Sequence, residues 1–81
     1  MKLVELTEYL VKNIVKDPES VTVKMFDDES DIITIQVMVS SDDIGAVIGK
    51  EGMTANAIRT IVQSSAFANN EKKVKINIDS I

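Results

Sequence analysis

Hydrophobic residues near the start of the chain recur at the spacing of a helix. Within residues 3–16 the apolar positions fall three or four apart, at Leu3, Leu6, Leu10 and Ile14, with Val4, Val11 and Val15 widening the stripe. A stripe of this kind predicts an amphipathic helix whose apolar side packs on a core. We expect this helix to end at Asp17 and Pro18, because proline lacks the next helical donor and restricts the residue before it.

Three later segments alternate between apolar and polar residues, as strands with one buried face do. They cover residues 21–26, 32–39 and 73–79, and their apolar positions are Val21, Val23, Met25, Ile33, Ile35, Val37, Val39, Val74, Ile76 and Ile78. The acidic residues 27–31 separate the first two strands and predict the turn of an antiparallel hairpin. A calcium loop is the alternative for this run, but the glycine that such a loop needs at its sixth position is Ile32 here.

Two helical patterns, separated by glycines, lie between the second and third strands. Ser40 is followed three residues later by Asp43, an arrangement that predicts a capped helix start. This helix is short, because Gly49 and Gly52 bracket a bend before the helical pattern resumes at Ala55. The element order α-β-β-α-α-β predicts one α+β domain over residues 1–81, with three helices packed on one face of a three-stranded sheet.

Composition narrows the classes of function. The 81-residue chain contains no histidine and no cysteine, so the usual near-neutral proton shuttle, thiol nucleophiles and the commonest metal ligands are missing. We therefore expect no catalytic site, no metal and no cofactor. Acidic Glu5 and Glu8 interrupt any signal-type apolar run, so we expect a cytoplasmic protein. A core as small as this one also favours self-association.

The most informative stretch of the chain is Val47-Ile48-Gly49-Lys50-Glu51-Gly52, between the two predicted helices. An isolated Gly-x-x-Gly commonly makes only a turn, but this one follows an alternating strand and precedes a helical pattern. The stretch resembles the signature of K-homology (KH) domains, and the element order is similar to the bacterial type II form of that fold. The resemblance covers essentially the whole chain, and it implies single-stranded RNA as the ligand.

In KH domains the glycine loop lets the backbone approach the sugar-phosphate chain, while bases lie in an adjoining groove. The residues that the resemblance places at the RNA are Ile44, Val47, Ile48, Gly49, Lys50, Glu51, Gly52, Thr54 and Arg59. Of these, the three apolar residues are expected to line one wall of the groove. Lys50 brings a positive charge to the loop, and Arg59 is expected to meet a phosphate or stack on a base. Glu51 opposes both charges.

The chain is also similar to small bacterial single-KH proteins of the KhpA type, through its length, the helix ending near Asp-Pro and the run Ile58-Arg59-Thr60-Ile61-Val62. That resemblance implies an RNA chaperone or adaptor, dimerisation, pairing with a larger KH-containing partner of the Jag type, and a role in cell elongation and envelope growth. Relatives often carry basic residues where this chain has Met53 and Asn56. With a net charge of −4, this departure predicts weak intrinsic RNA affinity. A protein-interaction module with little RNA affinity is the alternative function.

Several other positions have two interpretations. The apolar arc of the last helix is wider than one core contact needs, and Ile61 at its edge is predicted to join a two-fold dimer interface. The lysines near the third strand either extend the RNA track or discourage edge pairing, and they are Lys72, Lys73 and Lys75. Gly45 is interpreted as a close-packing position between helix and strand, with a ligand-facing role as the alternative. Met53 is interpreted as a packing residue at a helix start, with an apolar contact to a base as the alternative.

Overall fold

The computed structural model describes residues 2–27 and 31–81, and within them it contains three α-helices and three β-strands. In chain order these are α1 (Leu3–Lys12), β1 (Thr22–Phe26), β2 (Ile32–Val39), α2 (Ile44–Ile48), α3 (Met53–Ala68) and β3 (Lys73–Ser80). Short 3-10 turns cover Pro18–Ser20 and Lys50–Gly52. The predicted α-β-β-α-α-β order is confirmed. None of the described helices is long and apolar enough to cross a membrane.

The central strand of the sheet is β2, because the strand order is β1-β2-β3. It pairs antiparallel with β1, where Val23 lies opposite Val37, and parallel with β3, where Ile76 lies opposite Ile35. The antiparallel β1-β2 pair confirms the predicted hairpin, although residues 28–30 of its turn lie outside the described residues. Parallel strands need a crossover connection, and α2 and α3 form the one between β2 and β3.

One hydrophobic core lies between the sheet and the helices. The alternate residues of β2 that face the helices are all buried, and they are Ile33, Ile35, Val37 and Val39. The helices contribute Leu3, Val11, Val47, Ile58, Val62 and Ala66 to the same cluster. Each large apolar side chain buried in this way stabilises the fold by about 1.5–3 kcal/mol relative to its exposed state. The predicted two-layer arrangement, with the helices on one face of the sheet, is confirmed.

The buried face of α1 differs from the predicted stripe. It runs through Leu3, Thr7 and Val11, whereas Leu6 and Leu10 pack against the core only in part. Thr7 is buried among apolar residues because its Oγ1 donates a hydrogen bond to the Leu3 carbonyl at 2.8 Å. A buried hydroxyl is tolerated when it is hydrogen-bonded, so one polar residue lies at the centre of this face.

The first helix ends at Lys12, which is earlier than the predicted end at Asp17. Asn13 is the residue that ends it. Its backbone N–H and its side-chain Nδ2 both donate to the Tyr9 carbonyl, at 3.3 and 2.7 Å. A side chain that bonds to the backbone in this way competes with the next helical turn, so the helix stops before the proline.

The predicted capping role of Asp43 is wrong. Asp43 is the N-cap residue of α2, but its carboxylate makes no capping hydrogen bond. The residue is only 2% exposed, and its two carboxylate oxygens accept the backbone N–H groups of Lys16 and Asp17, each at 3.0 Å. Because a buried carboxylate must be hydrogen-bonded, this pair of bonds fixes the segment after α1 against the start of α2.

Candidate nucleic-acid interface

A backbone bend of residues 49–52 separates α2 from α3. Gly49 and Gly52 have φ of 77°, and Glu51 between them has φ of 56°. The Gly52 N–H donates to the Gly49 carbonyl at 3.2 Å and closes the turn. Glycine adopts positive φ without steric cost, whereas most other residues do not. The bend therefore interrupts the helical path at the two glycines, and it does not run as one continuous helix.

The two glycines of the bend are required for different reasons. A Cβ built on Gly49 would lie 2.7 Å from the Thr54 Cβ and 2.9 Å from the Thr54 backbone nitrogen, which is too close for any side chain. A Cβ built on Gly52 would meet only the Asn56 Nδ2, at 3.9 Å. Gly49 is thus needed for packing within the protein, while the space beside Gly52 is open. Thr54, expected at the RNA, is partly buried against Gly49.

Two residues near the bend are less closely packed than predicted. Apart from its chain neighbours and the backbone of its own helix, no described atom lies within 4 Å of a Cβ built on Gly45, so its interpretation as a close-packing position is wrong. The Gly45 carbonyl accepts the Gly49 N–H at 2.9 Å, which places it one turn before the bend. Met53, the first residue of α3, is 67% exposed, so its expected packing role is wrong as well. The bend is therefore flanked by accessible surface.

The bend combines backbone donors with almost balanced charge. The Met53 N–H, the first of α3, donates to the Lys50 carbonyl, and no side-chain hydrogen bond caps the helix. The N–H groups of a first helical turn have no partner within the helix and favour anions. Lys50 and Glu51 are both exposed at the tip of the bend. Their formal charges are opposite, so the tip has no net charge. An anion at this position would depend mainly on backbone N–H groups and on Lys50.

The apolar residues predicted for the groove wall separate into two groups. Ile44 and Ile48 are partly buried, so some of each side chain remains accessible. Val47 is fully buried and belongs to the core cluster. Its predicted place on the groove wall is therefore wrong. The physical reason is that α2 has only five residues, and Val47 is its one buried side chain, so Val47 holds the helix on the core.

Arg59 reaches from α3 to the backbone of β3. Its Nε donates to the Ile76 carbonyl at 3.4 Å, and its Nη1 donates to the Asn56 Oδ1 at 3.1 Å. In the sequence, Asn56 stood out only because relatives often carry a basic residue at this position. In the structure its side chain orients the guanidinium of Arg59. Sequence analysis also missed Gln63, whose Oε1 accepts the Val74 N–H at 2.9 Å and joins α3 to the start of β3. The spacing of three between Asn56 and Arg59 could have signalled their contact, since residues three apart on a helix are neighbours. No pattern in the sequence signals the contacts of Arg59 with Ile76 and of Gln63 with Val74, because both depend on how the helix lies on the sheet.

The outer side of α3 carries several accessible apolar side chains. Ile61 is 45% exposed and Phe67 is 73% exposed, and Ala57 and Ala68 are exposed as well. This position leaves Ile61 available for contact with another molecule, and the dimer interface there stays a prediction.

Comparison with known proteins gives a match over nearly the whole chain. The family model described as KhpA/KhpB, KH domain, matches residues 4–78. RNA-binding protein KhpA of Clostridium perfringens is 44% identical over 70 residues, which cover 86% of this chain and 92% of the relative. RNA-binding protein KhpA of Chlamydia pneumoniae is 44% identical over 66 residues, 82% of this chain and 83% of the relative. The Thermotoga maritima protein of the same name is 35% identical over 74 residues, 91% and 95% of the two chains.

Solved structures with the same fold come from Era. Aquifex aeolicus Era bound to GDP.AlF4- superposes with a TM-score of 0.71 at 14% identity, over 98% of this chain and 30% of the Era chain. Era in complex with MgGDPNP and nucleotides 1506-1542 of 16S ribosomal RNA gives a TM-score of 0.68 at 16% identity, over 96% of this chain and 29% of that one. This chain thus corresponds to less than a third of Era, and the likeness shows the fold alone. With the family model matching residues 4–78 and relatives 35% to 44% identical over most of their length, the chain belongs to the KhpA/KhpB family of KH domains.

Proposed function

We propose that the protein binds single-stranded RNA at the bend of residues 49–52, and that it acts as an RNA chaperone or adaptor rather than as an enzyme. The observation that carries this proposal is the exposed backbone with positive φ between α2 and α3. Two comparisons support it. The curated relatives are named RNA-binding proteins, and Era, which shares the fold, was solved in complex with ribosomal RNA.

In this proposal the backbone holds the phosphates. The space beside Gly52 is open, and the N–H groups that follow Met53 at the start of α3 have no side-chain cap. Backbone donors of this kind bind phosphate oxygens without a cluster of basic side chains. Lys50 adds one charge-assisted contact, and Glu51 offsets much of its long-range attraction. The result is a contact that positions RNA but binds it weakly.

The bases lie beside the bend, on the accessible parts of Ile44 and Ile48. Met53 offers an exposed, polarisable side chain at the start of α3. Arg59, held over β3 by Asn56, offers a flat guanidinium on which a base can stack. Apolar and stacking contacts discriminate poorly between bases, so the proposed binding has little sequence preference.

Dimerisation compensates for weak binding by one copy. The chain has a net charge of −4, so general electrostatic attraction to RNA is missing. A two-fold contact through Ile61 on α3 would place two bends on one assembly, and a second site raises affinity through effective concentration. A larger KH-containing partner of the Jag type would supply a second site in the same way. This partnership, and a role in cell elongation and envelope growth, are proposed from the resemblance to KhpA-type proteins.

A protein-interaction module with little intrinsic RNA affinity is the second candidate function. It is favoured by the exposed Ile61 and Phe67 on α3, together with the acidic net charge. In that case α3 binds another protein and the bend makes no contact with RNA.

Replacing Lys50 and Glu51 together by aspartate separates the two functions. Both side chains are exposed, and aspartate tolerates the positive φ of Glu51 better than most residues do. We expect the affinity for a labelled RNA of about 12 nucleotides to fall roughly tenfold, because the cation is lost and phosphate meets like charge. Self-association and capture of a protein partner should stay unchanged.

Lys2→Asp is the matched control, since it changes the net charge by the same amount. Lys2 lines a cavity with Glu71, which follows the C-terminal end of α3. The 16-residue α3 spans about 24 Å from that end to the bend. An equal loss of RNA affinity in both variants, or no loss in the double variant, would contradict the assignment of the bend. Loss of partner capture with RNA binding intact would support the interaction module.

A further inference from the structure

The face of the sheet that points away from the helices is accessible and has its own chemistry. Alternate strand residues point to opposite faces, and the register fixes which ones share the open face. Phe26 of β1 lies beside Thr34 of β2, and Thr34 lies beside Lys75 of β3. One step along, Lys24 lies beside Gln36. These residues therefore form one continuous surface, which we call the open face.

Positive charge is concentrated on the open face. The chain has 9 basic and 13 acidic residues, yet Lys24, Lys73 and Lys75 all point to this face and are exposed. The described strands place one carboxylate there, Asp79, beside Met38. Lys72, just before β3, is an ion-pair partner of Asp27 at 2.7 Å, so it does not add to this charge. An acidic protein thus presents a locally basic surface.

Exposed flat and apolar side chains lie among these lysines. Phe26 is 54% exposed and Ile32 is 41% exposed. Neighbouring strands are about 4.8 Å apart, so Phe26 and Lys75 stand about 10 Å apart across Thr34. Lys24 lies two residues before Phe26 on the same strand, and Lys75 lies across the sheet from it. An aromatic ring with cations near it on one surface matches a single strand, in which bases stack while phosphates lie alongside. Lysines that merely protect a sheet edge do not account for an exposed phenylalanine on the same face.

A cavity connects the open face with the region of Arg59. Its lining includes Arg59 and Ile76 on one side of β3 and Lys73, Lys75 and Asn77 on the other. We propose that the open face is a second contact surface for single-stranded RNA, reached by a strand that leaves the bend and passes Arg59 over β3. Phe26 stacks with a base there, and Lys73 and Lys75 bind phosphates. This inference rests on the proposed function and extends the length of RNA that one copy covers.

RNA length provides the test. A KH loop covers about four nucleotides, so a tetranucleotide engages the bend alone, whereas an RNA of about 12 nucleotides reaches the open face. We compare the native protein with Lys73→Gln/Lys75→Gln. The matched control is Lys12→Gln/Lys16→Gln, which removes the same charge from α1 and the segment after it. Urea unfolding of every variant confirms that each is folded.

Of all the combinations, only the affinity of Lys73→Gln/Lys75→Gln, the sheet variant, for the longer RNA should change. We expect its affinity to fall about fivefold, and the dependence of log affinity on log salt to weaken by about 1.4, at about 0.7 for each lost phosphate contact. The tetranucleotide should bind all three proteins alike. Equal behaviour of the sheet variant and the control variant with the longer RNA would overturn the proposal.

A fluorescence experiment tests stacking at Phe26 without removing any charge. The chain has no tryptophan, so Phe26→Trp introduces one indole on the open face. The longer RNA should quench its fluorescence, and the tetranucleotide should not. Native protein that binds neither RNA would refute the proposed function together with this inference. RNA binding that depends on Lys50 but ignores the open-face variants would refute this inference alone, as would lysine-dependent capture of an acidic protein with RNA binding intact.

Discussion

Gly49 and Thr54 lie so close together at the bend that no side-chain carbon fits between them. A Cβ on Gly49 would stand 2.7 Å from the Thr54 Cβ and nearer still to the Thr54 hydroxyl. The protein itself forms this contact, so the glycine is needed before any RNA is bound. Gly52 has no such neighbour. The two glycines of one motif are thus required for different physical reasons, and substitutions at Gly49 report on folding as well as on binding.

We predict that Gly49→Ala destabilises the protein more than Gly52→Ala. The first change adds a steric clash to an unfavourable positive φ, and we expect a loss of about 2–4 kcal/mol. The second adds only the φ penalty of about 1–2 kcal/mol. Urea unfolding of both variants measures the difference. Equal losses would mean that Thr54 moves aside at little cost.

Gly45→Ala should have the opposite effect. Gly45 lies within α2 and has no positive φ, and a Cβ there meets no described atom within 4 Å beyond its chain neighbours and the backbone of its own helix. Alanine in such a helical position stabilises by about 0.5–1 kcal/mol, since it restricts the unfolded chain. The urea midpoint of this variant should therefore rise. A lower midpoint would show that the space beside Gly45 is occupied in solution.

Hydrophobic alternation was sufficient to predict the strands, but not how they pair. The buried residues of β2, such as Ile35 and Val37, are those that the pattern assigned to the core. The same pattern says which face a residue occupies and nothing about which strand lies beside it. The parallel pairing of β2 with β3 was therefore not predictable from alternation. The early end of α1 escaped prediction because it depends on local hydrogen bonds of Asn13.

The sequence predicted the backbone bend of the site, but it predicted the positions and partners of the side chains less well. The glycine spacing located the bend between two helices, because few other sequences adopt positive φ there. Val47 was misplaced because a motif gives a residue type and not its orientation on a short helix. The role of Asp43 was missed because its partners, Lys16 and Asp17, lie 27 and 26 residues earlier in the chain. Spacing arguments detect contacts within a few residues, not contacts of this range.

Glu51→Gln should strengthen RNA binding. Glu51 is exposed at the tip of the bend, next to Lys50, and its carboxylate repels phosphate. Removing this one exposed charge should raise affinity about twofold to fivefold at low salt, an effect that salt screens. Glu19→Gln, at an exposed position in the turn after α1, is the control and should leave affinity unchanged. Equal gains in both variants would point to net charge rather than to the bend.

Ile61→Glu should separate a dimer into monomers without unfolding it. Ile61 is 45% exposed within one copy of the chain, so a charge there costs little in the monomer but is unfavourable in an apolar interface. Solution mass from light scattering should fall by half, while the urea midpoint extrapolated to low protein concentration stays the same. Thr60→Glu, at the neighbouring exposed position of α3, is the control. An unchanged mass for Ile61→Glu would remove Ile61 from the interface.

Asp43→Asn should destabilise the fold although the side chain keeps its size. The native carboxylate accepts two backbone N–H groups, from Lys16 and Asp17. An amide side chain has one acceptor oxygen and a donor NH2 group, so one of the two N–H groups would face a donor in a buried position. An unsatisfied buried group costs about 1–3 kcal/mol, and we expect the urea midpoint to fall accordingly. Asp42→Asn is the control, because Asp42 is exposed and surface changes usually stay within about 0.5 kcal/mol. Equal midpoints for the two variants would show that solvent reaches Asp43 and replaces the lost hydrogen bond.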